Sequence, residues 1–299
     1  MNWNQAIEEY KSYLKIERGL SLNSIVSYES DIISLKDYIL NNKIKKSPTE
    51  CDSDTINSFI YSSSKINNPR SQSRKISGLK SFFKFLVFEG YLKTSPMLNI
   101  ESPKLGRKLP DILSVKEISQ IISSIDENEK FGQRNKTIIE ILYGTGIRAS
   151  ELIELKISNI FFKENIIRVL GKGNKERFVP LGMKAKKSID YYMNNKRCNQ
   201  KVEQSSNDIL ILSKNGKKLT RQMIFTLIKR ISNNAGINKK ISPHTFRHSF
   251  ASHLLKNGAD LRSIQLILGH ENITTTEIYT HLDSKHLLNV MKKYHPRSK

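Results

Sequence analysis

The stretch SPHTFRHSFA at residues 242–251 predicts a helix with reactive groups on one face. Serine followed by proline is typical of a helix start, because the serine hydroxyl caps the first turn and proline fits its dihedral angles. His244 and Arg247 are three residues apart, so their side chains lie on the same face. We expect this helix to run from Pro243 to Lys256.

Other groups able to bind or attack a phosphate precede and follow this helix. Upstream, GTGIRASEL at 144–152 predicts a glycine-rich bend that leads into a new helix start near Arg148. The turn GKGNK at 171–175 contributes Lys172, and downstream segments contribute His270 and Tyr279. Arginines can hold phosphate oxygens in pairs, imidazoles supply hydrogen bonds or a proton, and a phenol can act as nucleophile. These residues together favour attack on a phosphodiester.

The net charge points to a polyanionic partner. The 299 residues include 50 lysines and arginines against 28 aspartates and glutamates, a formal net charge of +22. Residues 1–106 carry net +4 and residues 107–299 carry net +18. A bias in coding composition, which the abundant lysines allow as an alternative, would spread the charge evenly. The uneven distribution therefore favours binding to nucleic acid.

Composition argues against several other classes of protein. No stretch approaches 18 uncharged apolar residues, and the N-terminus lacks a signal-peptide layout, so neither a membrane protein nor a secreted one is expected. The two cysteines, Cys51 and Cys198, offer neither a disulfide framework nor a cysteine-based zinc site. We expect a cytoplasmic protein of two domains, since single cores usually stop growing at about 250–300 residues.

The first hundred residues predict a small bundle of four helices. Apolar residues recur every three or four positions in two early runs, and the same pattern predicts a third helix over 54–62 and a fourth over 70–88. The basic segment PKLGRKLP at 103–110 then interrupts the pattern with prolines and glycine. We therefore predict an N-terminal domain at 1–100 and a basic linker at 101–112.

The remaining residues, 113–299, predict a second domain that is mostly helical. Two strands over 166–170 and 176–181 flank the turn at 171–175, whose glycines and asparagine suit a hairpin. A short strand at 209–212 is expected to join them. Helices are predicted at about 114–125, 134–143, 184–196, 220–233, 243–256, 261–268 and 283–292. The predicted fold class is mainly α with a small antiparallel sheet.

All seven histidines fall in the last 56 residues, which raises the alternative of a metal site. His244, His248 and His253 approximate a spacing that places ligands on one helix face. However, no HExxH pattern is present, few carboxylates are near, and Arg247 would lie beside the cation. We expect no metal and no nucleotide cofactor. Tyr279 and Lys172 also have structural alternatives to a role in catalysis. Tyr279 could be an ordinary tyrosine buried in a helix, and Lys172 could be a solvated residue of the turn.

Four segments closely resemble the tyrosine site-specific recombinases, the phage integrase family. They are TGIRASEL at 145–152, SPHTFRHSFA at 242–251, LGH at 268–270 and TEIYTH at 276–281. The resemblance covers essentially the whole chain and implies a helical, SAM-like core-binding domain, a linker and a catalytic domain. GADLR at 258–262 and YHPR at 294–297 look most like the Xer branch of this family, the bacterial chromosome-dimer resolvases.

The resemblance also implies a role for each matched residue. Tyr279 matches the nucleophile, whose attack on the scissile phosphate forms a covalent 3′-phosphotyrosyl link and leaves a free 5′-hydroxyl. Arg148 and Arg247 match the pair that clamps the phosphate. Lys172 matches the general acid that protonates the leaving 5′-oxygen.

The remaining matched positions are supporting ones. His244 matches a residue that assists as acid or base, and His270 matches a hydrogen-bond donor to the phosphate. Glu151 matches an acidic position that orients its neighbours rather than reacting. The C-terminal segment predicts an amphipathic helix with an apolar face formed by Leu287, Leu288, Val290 and Met291. We expect this face to pack on its own domain or, as in this family, on a neighbouring protomer.

The resemblance implies an enzyme that cuts and rejoins double-stranded DNA to resolve chromosome dimers at cell division. It acts as a tetramer on two DNA sites, either of one chain or with a paralogous recombinase. The paralogue role and activation by a DNA translocase are left open. An integrase of a phage or mobile element is the main alternative, and a non-catalytic DNA-binding module and a type IB topoisomerase are weaker ones.

Overall fold

A computed structural model of the chain describes residues 1–103, 106, 111–171, 175–269 and 281–298, with the backbone alone for 281–284. The chain divides into two compact units, Met1–Lys108 and Leu109–Lys299. None of the helices in this described part is long and apolar enough to cross a membrane.

The N-terminal unit is the predicted bundle of four helices. They are α1 (Trp3–Ile16), α2 (Leu22–Asn41), α3 (Ser53–Ser64) and α4 (Pro69–Phe88). Each helix begins after a polar residue whose side chain accepts a hydrogen bond from a backbone amide in the first turn, namely Asn2, Ser21, Asp52 and Asn68. Aromatic side chains fill the core, where Tyr10, Phe82 and Phe83 are fully buried.

The C-terminal unit is mostly helical and packs around α6. Its helices are α5 (Val115–Ser123), α6 (Gly132–Thr145), α7 (Ala149–Ile153), α8 (Met183–Tyr192), α9 (Arg221–Asn234), α10 (Pro243–Lys256), α11 (Leu261–Leu268) and α12 (His281–Tyr294). Almost every residue of α6 is buried, so this helix is the centre of the core. The predicted mainly α fold class is confirmed.

A three-stranded antiparallel sheet lies beside these helices. Strands β1 (Ile160–Phe161), β2 (Ile166–Leu170) and β3 (Glu176–Pro180) are ordered β1-β2-β3. Leu170 pairs with Glu176, so residues 171–175 connect β2 and β3 as the sequence predicted for a hairpin.

The predicted third strand at 209–212 is wrong. Residues 160–161 take that place, because they precede β2 by a short turn and can pair with it locally. Residues 209–212 instead form two isolated bridges, Lys156 with Ile209 and Leu212 with Lys218. All four residues of the segment are buried, so it runs through the core without the one-sided exposure of an edge strand.

The last helix packs on its own unit. Leu287, Val290 and Met291 of α12 are buried in the core of the C-terminal unit. Beyond the helix, Arg297 forms an ion pair with Glu140 of α6. In the single chain, the apolar face of α12 is therefore covered by the same chain.

Candidate active site

A left-handed glycine brings Arg148 to the start of a helix. Helix α6 ends at Thr145 and is capped by Gly146, whose φ of 65° lies in the left-handed region. A side chain does not fit there, since a Cβ on Gly146 would lie 2.5 Å from Cδ1 of Phe250 on α10. The bend places Arg148 at the N-cap of α7, with its side chain 33% exposed. The predicted glycine-rich bend thus positions a partly exposed guanidinium.

Arg247 is buried beside the same bend. Its Nη1 donates to the carbonyl oxygen of Gly146 (2.8 Å), and its Nη2 donates to that of Leu268 (2.6 Å). Burial, and then the positive charges of Arg148 and Arg177, lower the pKa of Arg247 to about 9. The guanidinium is therefore still protonated at neutral pH. Among the ion pairs of the described residues, none neutralises it.

Glu151 binds Arg148 and a third arginine, Arg177 of β3. Arg177 donates through Nη1 to Oε1 (2.8 Å) and through Nη2 to Oε2 (2.9 Å) of Glu151. Arg148 donates to the same oxygens through Nη1 (2.9 Å) and its backbone amide (2.8 Å). Burial by itself raises the pKa of Glu151, but the hydrogen bonds and charges of both arginines outweigh it and lower the pKa. One ionised carboxylate therefore serves two guanidinia.

Arg177 is not among the site residues predicted from the sequence, although a signal for it is present there. Successive strand residues point to opposite faces, and β3 buries Arg177 and Val179 while it exposes Glu176. An arginine at an inward position of a strand needs a buried acidic partner. The strand pattern could have indicated the need for that partner, whereas its identity as Glu151 depends on the tertiary fold.

The three guanidinia also converge on the C-terminal end of α11. They donate to three consecutive carbonyl oxygens: Arg177 Nε to Ile267 (3.0 Å), Arg247 Nη2 to Leu268 (2.6 Å) and Arg148 Nη2 to Gly269 (3.4 Å). The last carbonyls of a helix lack partners within it and carry partial negative charge, which favours cations. We refer to Arg148, Arg177, Arg247 and Glu151 as the arginine cluster.

His244 lies one turn before Arg247 on α10, and the residue is exposed. Desolvation of the ring, and then the positive charges of His248, Arg247 and Arg148, lower the pKa of His244. The imidazole is therefore neutral at pH 7 and able to accept a proton. The charges of Arg148 and Arg247 therefore act on His244, which the sequence grouped with them.

Three of the six predicted site residues lie outside the described part of the chain: Lys172, His270 and Tyr279. The residues that directly precede the first two are described, and both border the arginine cluster. A Cβ on Gly171 would lie 3.5 Å from Nη1 of Arg177, and a Cβ on Gly269 would lie 2.9 Å from its Cδ. The roles of these three residues remain predictions.

The histidines of α10 do not form a common site. His253 is buried, and its Nδ1 is hydrogen bonded to the hydroxyl of Tyr143 at 2.8 Å, whereas His244 and His248 are exposed. Across the residues that the structure describes, no group of three or more His, Cys, Asp and Glu side chains could hold a metal ion. His253 therefore has a packing role.

Comparison with known protein families matches both units. The phage integrase family matches residues 111–286, and the phage integrase N-terminal SAM-like domain matches residues 7–90. Tyrosine recombinase XerD of Listeria innocua is 38% identical over 296 residues, covering 99% of this chain and 100% of that protein. Tyrosine recombinase XerD of Staphylococcus haemolyticus is 41% identical, covering 98% of this chain and 99% of that protein.

Solved structures show the same fold. XerA recombinase is 30% identical with a TM-score of 0.50, covering 98% of this chain and 99% of that chain. XerH recombinase bound to its difH substrate is 23% identical with a TM-score of 0.68, covering 89% of this chain and 78% of that chain. A lambda integrase dimer bound to a COC′ core site is 18% identical with a TM-score of 0.71, covering 91% and 96%.

Proposed function

Because this chain belongs to the phage integrase family and is a tyrosine recombinase, an enzyme that cuts and rejoins DNA, we propose that it resolves chromosome dimers at cell division. Support comes from relatives named tyrosine recombinase XerD, which are 38% and 41% identical over essentially their full length. The likeness to lambda integrase, at 18% identity, extends to the fold alone. A chromosomal substrate also implies action in the cytoplasm.

Six residues carry the reaction in this proposal: Arg148, Lys172, His244, Arg247, His270 and Tyr279. The observation that supports the assignment most is the charge of the arginine cluster. The cluster contains three guanidinia and one carboxylate, so it keeps two positive charges. A phosphodiester supplies the opposite charge, and guanidinia can donate in pairs to its non-bridging oxygens.

The proposed reaction exchanges one phosphate ester for another. The hydroxyl oxygen of Tyr279 attacks the scissile phosphorus, a bond to tyrosine forms, and the bond to the 5′-oxygen breaks. Lys172 gives a proton to the leaving 5′-oxygen, while His244 assists removal of the phenol proton. A 5′-hydroxyl of the partner strand then attacks the phosphotyrosyl bond and releases the tyrosine. Because each step replaces one ester bond by another, no ATP is needed.

The cationic site favours each of these steps. A tyrosine hydroxyl has a pKa of about 10 in water, and neighbouring positive charges favour its phenolate. Negative charge also spreads over the phosphate oxygens in the transition state, where donors already in place have their largest effect. Arg148 and Arg247 hold such donors, and His270 adds a further one in this assignment.

The domains and partners follow from the same proposal. Residues 1–100 are a core-binding clamp on double-stranded DNA, 101–112 are a linker, and 113–299 are the catalytic domain. Membership of the tyrosine recombinases supports a DNA substrate for this chain. We extend this to a tetramer on two DNA sites, formed with identical chains or a paralogous recombinase and open to activation by a DNA translocase.

A nicked suicide substrate tests the nucleophile. The wild-type protein should form a covalent complex that survives denaturation, and Tyr279→Phe should form none because it lacks the attacking oxygen. Tyr191→Phe is a matched control, since Tyr191 is a half-exposed tyrosine of α8. The control should retain the complex, and EDTA should leave it unchanged. A covalent complex from Tyr279→Phe would contradict the assignment.

The chromosomal role needs a separate experiment. Covalent complexes trapped in cells can be mapped by sequencing the DNA that remains attached to the protein. Dimer resolution predicts one dominant locus opposite the replication origin. A locus at the end of a mobile element would instead indicate an integrase.

A further inference from the structure

We infer that Arg177 is a positioning residue for DNA cleavage. Arg177 aligns Arg148 through Glu151, and it aligns the end of α11 by direct contact. The inference rests on the proposed role of Arg148 and Arg247 as the phosphate clamp. Arg177 itself is buried, so it acts through these neighbours.

The burial of Arg177 calls for an explanation beyond stability. Its side chain is 6% exposed and that of Glu151 is 2% exposed. Burial of an ion pair carries a large desolvation cost, and well-packed apolar residues often stabilise a fold equally well. A pair of this kind is therefore best explained by the geometry that it imposes on other groups.

The first of those groups is Arg148. Both oxygens of Glu151 accept from Arg177, so the carboxylate cannot rotate without breaking a bond of 2.8 or 2.9 Å. The same two oxygens accept from the side chain and the backbone amide of Arg148. The position of the Arg148 guanidinium therefore depends on that of Arg177.

The second group is the end of α11. Arg177 Nε donates to the carbonyl of Ile267, which is 90 residues away in the sequence. The backbone of Gly269 packs directly on the Arg177 side chain, since a Cβ there would lie 2.9 Å from Cδ and 3.0 Å from Nε. Gly269 also has a φ of 66°, so a larger residue is disfavoured on both counts. Arg177 thus holds the end of α11 at Ile267 and Gly269.

One side chain therefore aligns two parts of the phosphate site. A displacement of about 1 Å in a group that positions reacting atoms can slow a reaction about 10²-fold. Lysine cannot replace this function fully, because a single ammonium lacks the planar fork that bonds both carboxylate oxygens and the carbonyl.

The test uses single-turnover cleavage at saturating DNA by Arg177→Met and Arg177→Lys. Two nicked substrates are compared, one with the natural phosphate and one with a neutral methylphosphonate at the cleavage position. The natural phosphate has two non-bridging oxygens that carry negative charge, and aligned guanidinia neutralise this charge. The methylphosphonate has a methyl group in place of one of these oxygens, so its cleavage does not need this neutralisation. Arg168→Met is the control, since Arg168 on β2 contacts Asn159 and Glu176 instead of the arginine cluster.

Arg177→Met should cleave the phosphate about 10²-fold more slowly than the wild type and the methylphosphonate less than about 10-fold more slowly. DNA affinity should change less than about threefold, and Arg177→Lys should recover part of the rate. The control should cleave both substrates at the wild-type rate. If Arg177→Met folds poorly, the comparison is made with Arg177→Lys below its melting temperature.

Two results would overturn the inference. An equal loss on both substrates would indicate a structural role alone, and a wild-type rate on the phosphate would indicate no role in cleavage. If the wild-type protein itself fails to form a covalent complex, the proposed function fails and the inference fails with it. The wild-type reaction therefore distinguishes the two failures.

Discussion

Each unit of the chain contains an arginine bonded through both arms to a buried carboxylate, but the two arrangements leave different charges. In the N-terminal unit, Arg74 donates to both oxygens of Asp31 at 2.6 Å, and the arginine is 51% exposed while the aspartate is 2% exposed. In the C-terminal unit, one carboxylate serves two arginines and Arg247 is held by carbonyls alone. The first arrangement is neutral, and the second keeps two positive charges. One guanidinium per carboxylate gives a neutral ion pair that joins two helices. Three guanidinia per carboxylate give a positively charged site that is suited to a phosphate.

The largest effect on stability is expected for Glu151→Ala. This variant leaves Arg177 buried without its partner, which should lower the free energy of unfolding by about 3–5 kcal/mol. Urea unfolding followed by circular dichroism measures the loss. Because the folded-state pKa of Glu151 is lowered, its contribution is present above the unfolded pKa of about 4.3 and is lost as the pH falls through the folded value. The difference between wild type and variant should therefore shrink in acid, and a constant difference would contradict the account.

The same change in the N-terminal unit, Asp31→Ala, should have a smaller effect. Arg74 is half exposed, so water can solvate its guanidinium once the carboxylate is gone. We expect a loss of about 1–2 kcal/mol. Trp3, the single tryptophan, is buried in this unit, so its fluorescence reports on the N-terminal transition. A loss as large as that for Glu151→Ala would remove the distinction between the two carboxylates.

The third effect concerns the pKa of His244. Desolvation and nearby positive charges lower the pKa of His244, so NMR should show a titration midpoint below the ordinary value of about 6.5. Because the unfolded chain binds this proton more tightly, stability should fall as the pH drops below that value. Arg247→Met should raise the midpoint by removing one positive neighbour, while Arg168→Met should leave it unchanged. A midpoint that does not respond to Arg247→Met would contradict the coupling.

The helices could be predicted well because their signals are local. Helices α10 and α11 have the predicted bounds, and the N-terminal bundle has the predicted four helices. Capping residues and apolar periodicity act within a few residues, so a single sequence contains them. The wrong third strand shows the limit of this approach. Residues 209–212 are apolar for reasons of core packing, which the sequence pattern does not distinguish from strand pairing.

The site could be predicted in part. Arg148, His244 and Arg247 lie in motifs that indicate phosphate chemistry, and the structure couples their charges. Arg177 could not be assigned, because its partners Glu151 and Ile267 are 26 and 90 residues away and meet it only in the folded chain. The assignments of Lys172, His270 and Tyr279 stay predictions from sequence motifs.

In the proposed reaction, the surplus positive charge of the arginine cluster acts on the phosphate during cleavage. The most direct test is the single-turnover cleavage rate of Arg247→Ala at saturating DNA, with Arg74→Ala as the comparison from the N-terminal unit. Loss of one pre-placed donor should slow cleavage by Arg247→Ala about 10²–10³-fold, while Arg74→Ala should cleave at close to the wild-type rate once DNA is saturating. Equal rates for the two variants would contradict the claim.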